Sequence, residues 1–151
     1  MVEFISDPDQ REAVARQVLE ALPDWFGIAE SREAYIRESR AQPFWADVED
    51  GAARGFLALK ETSPYTAEIA VMGVLQDRHR CGVGRSLFAA ARSYAKAQGY
   101  QFLQVKTVRE GCYAEYDRTI AFYRSMGFRE FECFPTLWDE WNPCQVFVMA
   151  L

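Results

Sequence analysis

The sequence predicts an α/β fold: one mixed, strongly twisted sheet of about seven strands with about four helices packed on both faces. Short apolar segments alternate along the chain with longer segments whose apolar residues recur at helical spacing. Glycine and proline mark most of the boundaries between them. Half of the 151 residues are hydrophobic, which is enough to build one core, so we expect a single domain over residues 1–151.

The N-terminal part is predicted to form a strand and two helices. Val2–Ile5 is a short apolar strand. Ser6 or Asp7 can cap the first helix and Pro8 fits its first turn, so this helix should extend to about residue 22. Ser31 is the predicted cap of a second helix that ends near residue 40.

The middle of the chain is predicted to be a hairpin followed by the central strand. Asp50-Gly51 is a hairpin turn signal between apolar segments at 44–48 and 54–60. A largely buried strand follows at about 67–75. Gly73 lies inside it, where a glycine either marks a bulge or makes room for a bulky neighbour.

The C-terminal half is predicted to alternate helices and strands. The helix formers after residue 82 end at Gly99, a natural cap, and a second helix ends at Gly127. The predicted elements are a helix at about 82–97, a strand at 102–108, a helix at 116–126, and strands at 128–134 and 145–150. An aromatic-rich loop spans 135–144.

A glycine loop between the central strand and the next helix is the strongest functional signal. Arg78–Arg85 contains three arginines and a histidine in eight residues, together with Gly82 and Gly84. Strand, glycine loop and helix together direct free backbone N–H groups at an anion. No Gly-Lys-Ser/Thr follows, which excludes a P-loop, and no third glycine completes a dinucleotide fingerprint. A phosphate-bearing cofactor is therefore the expected ligand.

Composition excludes several classes of function. The net charge is −5 and no basic face lies outside 78–85, so nucleic acid is not an expected partner. No apolar run approaches the roughly 20 residues of a membrane helix, and the N-terminus does not resemble a signal peptide. The four cysteines have no metal-ligand spacing, so we expect reduced thiols, no metal and a cytoplasmic location.

The pattern His79-x-x-Gly82-x-Gly84 resembles motif A of the GNAT acetyltransferase superfamily, with histidine in place of the usual Gln or Arg. This resemblance implies a sheet splayed at a bulge in the central strand and acetyl-CoA as cofactor. It also implies a pyrophosphate held by the loop and a pantetheine arm paired with Val74 and Leu75. The implied loop residues are His79, Arg80, Cys81, Gly82, Val83, Gly84 and Arg85.

Two catalytic residues follow from the same resemblance. Glu68 precedes His79 by eleven residues, as the general base precedes motif A in the histone acetyltransferases of this superfamily. The alternative is a strand residue that faces solvent or pairs with Lys60 or Arg54. Tyr123 and Gly127-Phe128 resemble the family's late motif, whose tyrosine protonates the departing thiolate; the alternative is core packing.

The predicted function is transfer of an acetyl group from acetyl-CoA to a primary amine of a small molecule, peptide or protein. A non-catalytic acyl-CoA-binding module is the alternative. The candidate acceptor-binding residues are Trp25, Phe26, Trp138 and Asp139. Aromatic loops and an acidic composition favour a cationic acceptor. Homodimerisation is left open.

Overall fold

The computed structural model describes residues 1–151 as seven strands and four helices. The strands are β1 (Val2–Phe4), β2 (Phe44–Glu49), β3 (Ala52–Ser63), β4 (Thr66–Val74), β5 (Phe102–Val108), β6 (Arg129–Phe134) and β7 (Cys144–Ala150). The helices are α1 (Pro8–Glu20), α2 (Ala29–Ser39), α3 (Val83–Ala97) and α4 (Ala114–Met126). The predicted fold class is confirmed, and most predicted boundaries lie within two residues of these.

All seven strands belong to one sheet in the order β1-β2-β3-β4-β5-β7-β6. Neighbouring strands are antiparallel except β4 and β5, which are parallel and are connected through α3. The β2–β3 hairpin turns at Asp50-Gly51, where both residues have positive φ, 53° and 79°. Two successive residues with positive φ are typical of the tight hairpin turn that the Asp-Gly pair predicts.

Of the two predicted helix caps, the cap of α1 is confirmed and the cap of α2 is wrong. Asp7 caps α1, because its side chain accepts a hydrogen bond from the N–H of Asp9 at 2.9 Å and Pro8 occupies the first turn. Ser31 was the expected cap of α2, but it lies inside the helix, which begins two residues earlier after Ile28 and has no side-chain cap. None of the helices has the length and apolarity to cross a bilayer.

Two hydrophobic clusters cover the two faces of the sheet. One joins β-strand side chains to α3 and α4 and includes Leu57, Leu87 and Phe128. The other joins the sheet to α1 and α2 and includes Val18 and Phe56. Successive strand residues point to opposite faces of the sheet. Membership of one cluster or the other therefore shows which face a strand residue occupies.

The bulge of β4 lies at Ala70, three residues before the glycine that was expected to mark it. Val71 pairs with Ala58 and Ile69 with Leu59, so Ala70 is the extra residue. Gly73 instead makes room for bulky neighbours, the alternative that the sequence left open. A Cβ built there would lie 3.0 Å from Val18 Cγ1 and 3.2 Å from the Leu22 side chain, so the glycine lets α1 pack closely on β4.

We expect Gly73→Ala to lower the free energy of unfolding by about 1–3 kcal/mol, because the added methyl overpacks the contact with α1. Urea denaturation would measure the change. The matched control is a double-mutant cycle with Val18→Ala, which removes the closest neighbour. The cost of Gly73→Ala should be smaller in the Val18→Ala background. An equal cost in both backgrounds would contradict the packing explanation.

Candidate active site

The sheet opens between β4 and β5. The two strands are in register over only four residue pairs, and the last pair is Ile69 with Val105. On its other side β4 remains paired with β3, and the N–H of Leu75 also donates to a β3 carbonyl at 2.8 Å. Because ladder bonds alternate in an antiparallel pair, Met72 and Val74 turn their N–H and C=O groups toward the gap. The Leu75 amide is already used in the sheet, so Val74 is the one of the two predicted residues that offers its amide there.

The glycine loop ends in a set of free backbone N–H groups. Gly82 has φ 82° and immediately precedes α3. The helix's first N–H donor is Ser86, which bonds the carbonyl of Gly82 at 3.0 Å. The N–H groups of Val83, Gly84 and Arg85 therefore have no acceptor within the helix. They point out of the helix N-terminus, where the helix dipole favours an anion.

The two glycines of the loop have different physical roles. A Cβ at Gly82 would meet nothing within 4 Å, so the space beside it is open to a ligand. A Cβ at Gly84 would lie 3.2 Å from Met72 and 3.3 Å from Phe122, so this glycine allows α3 to pack closely on β4 and α4. The loop residues Arg80 and Cys81 are exposed to solvent, and Arg80 also has a positive φ, 64°.

The only histidine is turned toward the gap. The Nε2–H of His79 donates to the carbonyl of Val74 at 2.8 Å, because a carbonyl can only accept. The imidazole also packs edge-on against Trp25, with ring centroids 5.6 Å apart. The side chain thus connects the end of β4 with the loop between α1 and α2. A role in phosphate binding remains a prediction for this residue.

Trp25 joins the α1–α2 loop to the start of α4. Its indole Nε1–H donates to the carbonyl of Glu115 at 3.2 Å, and the hydroxyl of Tyr116 donates to the carbonyl of Trp25 at 2.6 Å. Burial, followed by the influence of Tyr35, raises the pKa of Tyr116 to about 12, so this phenol remains a hydrogen-bond donor at neutral pH.

Tyr123 is a buried phenol on α4. Its side chain belongs to the α3–α4 cluster and packs edge-on against Phe128, with ring centroids 5.7 Å apart. Burial, followed by the influence of Tyr35, raises its pKa well above the usual value, and no hydrogen bond opposes this change. The hydroxyl therefore carries its proton throughout the neutral and mildly alkaline range.

Tyr35 is a half-buried phenol that the sequence did not single out. It lies on α2 with the second hydrophobic cluster, whereas Tyr116 and Tyr123 lie on α4. It nevertheless influences the pKa of both other phenols. Its own pKa is raised first by burial and then by Glu38, Glu68 and Cys144. The electrostatic influence of Tyr35 on α2 thus extends to both phenols of α4.

Glu68 is buried at the centre of a polar row that crosses three strands. Its carboxylate accepts a hydrogen bond from the Gln104 amide at 2.6 Å and lies 3.3 Å from the ammonium groups of both Lys60 and Lys106. Of the two expected ion-pair partners, Lys60 is present, and Arg54 instead binds Asp47 and Glu49. The β5 partners of Glu68, Gln104 and Lys106, could have been predicted from the sequence. They alternate with the core residues Leu103 and Val105, so they share the opposite face of the strand.

The four candidate acceptor residues lie in different environments. Trp25 and Phe26 are half-buried beside the gap, where Phe26 packs edge-on against Tyr35. Trp138 is exposed in the loop between β6 and β7. Asp139 is turned inward: its carboxylate accepts the N–H groups of Trp141 and Asn142 and both carboxylate oxygens bond the Asn142 amide. These hydrogen bonds order the loop, and Asn142 in turn accepts a hydrogen bond from Tyr113 at 2.9 Å. Acceptor binding by Asp139 stays a prediction.

Comparison with known proteins defines the class. The profile of the acetyltransferase (GNAT) family matches residues 11–128, which are most of the chain. The chain therefore belongs to the GNAT acetyltransferase family and is an acyltransferase of the N-acetyltransferase type. A sequence search among curated proteins found no match.

Solved structures agree with this assignment at the level of the fold. A GNAT-family structure from Desulfovibrio desulfuricans is 19% identical with a TM-score of 0.83, and the match covers 99% of this chain and 98% of that one. A ribosomal-protein-alanine N-acetyltransferase from Brucella melitensis is 18% identical with a TM-score of 0.72, covering 100% and 99%. The Salmonella typhimurium protein yncA, solved with its cofactor acetyl-CoA, is 15% identical with a TM-score of 0.71, covering 100% and 93%.

Proposed function

We propose that this protein transfers the acetyl group of acetyl-CoA to a primary amine by direct attack of the amine on the thioester. The observation that supports this proposal is the gap between β4 and β5, which lies beside the amide-lined start of α3. Glu68 lies one residue before the gap begins, and Tyr123 belongs to the cluster on the opposite face of the sheet. The Brucella neighbour's name gives a ribosomal-protein alanine as its acceptor, which agrees with an amine acceptor here.

The residues at the loop fit the coenzyme. The free N–H groups of Val83, Gly84 and Arg85 would bind its pyrophosphate, with Arg80 and the other loop residues His79, Cys81 and Gly82 around it. The pantetheine arm would run along the gap-facing backbone of Val74, beside Leu75. The coenzyme supplies an activated acetyl thioester at the end of this arm. Because the loop and α3 lie on one face, the acceptor amine would reach the thioester from the α1–α2 face.

Glu68 and Tyr123 would then serve as general base and general acid of the reaction. The amine nitrogen forms a bond to the acetyl carbon, and Glu68 accepts the proton that the nitrogen loses, directly or through water. The carbon–sulfur bond breaks, and Tyr123 donates its hydroxyl proton to the departing sulfur. Its raised pKa supports the donor role, because the phenol stays protonated at the pH at which free amines become available. A gap-facing amide of β4 would stabilise the negative charge on the thioester oxygen.

A non-catalytic acyl-CoA-binding module is the competing function. It would keep the loop contacts, while Glu68 and Tyr123 would serve only the ion pairs and the core packing in which they take part. Release of free thiol from acetyl-CoA across a library of primary amines distinguishes the two. Amine-dependent release supports the transferase. Coenzyme binding by calorimetry without any amine-dependent release would favour the module and overturn our proposal.

Gly82→Val should weaken acetyl-CoA binding by about 10- to 100-fold, because a side chain in the open space of the loop keeps phosphate from the N–H groups. Isothermal calorimetry measures this directly. Gly99→Val is the matched control: Gly99 also has a positive φ, 91°, and open surroundings, but follows the other end of α3. It should share the backbone strain and retain coenzyme affinity. Equal losses in both variants would mean that strain alone explains the effect.

Glu68→Gln should lower turnover by about 10²–10⁴-fold with little change in coenzyme affinity, because the variant cannot accept the amine's proton. The loss should shrink as pH rises, since more of the acceptor is then already a free amine. A pH series of initial rates measures both effects. Glu132→Gln, the same substitution at an exposed carboxylate on β6, should leave the rate unchanged. Full activity of Glu68→Gln at neutral pH would exclude Glu68 as the base.

Tyr123→Phe should also lower turnover, again with coenzyme affinity nearly unchanged, because it removes only the hydroxyl. The pKa of Tyr123 is raised, so its protonated form does not decline between pH 6 and about pH 10. The ratio of wild-type to variant rates should therefore stay nearly constant over this range, unlike that of Glu68→Gln. Tyr94→Phe on α3 provides the control for loss of a phenol. A ratio that falls to one at high pH would contradict the assignment.

A further inference from the structure

The polar row around Glu68 has a surplus of positive charge. Lys60, Glu68 and Gln104 lie directly opposite one another on β3, β4 and β5, and Lys106 follows two residues along β5. Two ammonium groups therefore share one carboxylate, which leaves the row with a net charge of +1. Each ammonium has three N–H donors, and Glu68 is the one carboxylate within ion-pair distance of either lysine.

Both lysines remain within reach of a ligand. The side chains of Lys60 and Lys106 are 44% and 33% exposed, while that of Glu68 is only 5% exposed. The carboxylate thus anchors the lysine side chains from beneath, and their remaining donors face outward. Anchored ammonium groups lose less side-chain entropy on binding an anion than free surface lysines do.

The position of the row relates it to the acceptor. Glu68 and Lys106 are the residues immediately before and after the last paired position, Ile69 with Val105, so the row lies where the strands begin to part. Ala67, Ile69, Leu103 and Val105 belong to the α3–α4 cluster, so the alternating side chains of the row face the other side of the sheet. This is the face from which an acceptor amine would approach.

We infer that the acceptor carries a carboxylate as well as its amine, and that Lys106 and Lys60 bind this carboxylate. The inference rests on the proposed acetyl transfer and names the substrate class of that same site. Binding a carboxylate would bring the net charge of the row from +1 to zero. The acidic overall composition favours a cationic acceptor, but the local charge beside the gap has the opposite sign, and at a distance of a few ångströms local charges dominate.

The test compares amines that differ only in a carboxylate. Glycine and glycinamide form one pair, and 4-aminobutyrate and butylamine form another. Thiol release from acetyl-CoA gives kcat/KM for each at the same concentration of free amine. We expect the carboxylate member of at least one pair to be preferred by about 10- to 100-fold, the effect of one or two charge-assisted hydrogen bonds. Turnover of amines without any preference for carboxylates would overturn the inference while leaving the transferase intact.

Variants of the two lysines test whether the polar row causes the preference for carboxylate-bearing amines. Lys106→Met should remove most of the preference, whereas Lys106→Arg should retain it because the charge is kept. Lys96→Met is the matched control, since Lys96 lies in the exposed last turn of α3 and should not affect the preference. A preference that survives both Lys106→Met and Lys60→Met would contradict the assignment. Circular dichroism verifies that each variant is folded.

A second readout does not depend on turnover. With coenzyme A present, 4-aminobutyrate should raise the thermal unfolding midpoint of the wild-type protein and of Lys106→Arg, but not of Lys106→Met. Butylamine at the same concentration should raise none of them. If no carboxylate-bearing amine of the library shifts the wild-type midpoint, the carboxylate site is absent. If no amine is turned over but the shift is present and lost in Lys106→Met, the acetyl-transfer proposal fails and the carboxylate site remains.

Discussion

The parting of β4 from β5 is the constraint on which the rest of the structure depends. Buried backbone N–H and C=O groups need hydrogen-bond partners, and beyond Ile69 the gap-facing side of β4 has lost its neighbouring strand. The bulge at Ala70 starts this departure, and the close contact of α1 at Gly73 supports the strand from one face. The Val74 carbonyl is then satisfied by His79. A strand with unpaired backbone groups beside a helix N-terminus is suited to hold an extended ligand that carries phosphate.

Several weak contacts hold the surroundings of the gap together. Trp25 connects three segments: its indole reaches α4, its carbonyl accepts from Tyr116, and its ring packs on His79. None of these contacts is strong alone, since a neutral hydrogen bond contributes about 1 kcal/mol. Together they place the α1–α2 loop against the end of β4 and the start of α4. The α1–α2 loop is therefore physically coupled to the end of β4 and to the start of α4.

Electrostatics at the gap differ from those of the molecule as a whole. The chain carries a net charge of −5, yet the row beside the gap has two ammonium groups for one carboxylate. Glu68, which we propose as the general base, also forms ion pairs with both lysines. These two roles are compatible only if a ligand or water competes for the ammonium groups while Glu68 accepts a proton.

The sequence by itself determined most of the helices and strands and the glycine loop before α3. Helical periodicity, Asp-Gly, helix-capping residues and Gly-x-Gly act over a few neighbouring positions, so their consequences can be seen without the fold. Ser31 is the exception, because α2 begins two residues before it. Tertiary structure decided what depends on distant segments. Gly73 makes room for α1, Glu68 meets Lys60 and Lys106, and Trp25 bonds both Glu115 and Tyr116 of α4. These contacts arise from the order of strands in the sheet and from the packing of helices on both faces, which no local pattern encodes.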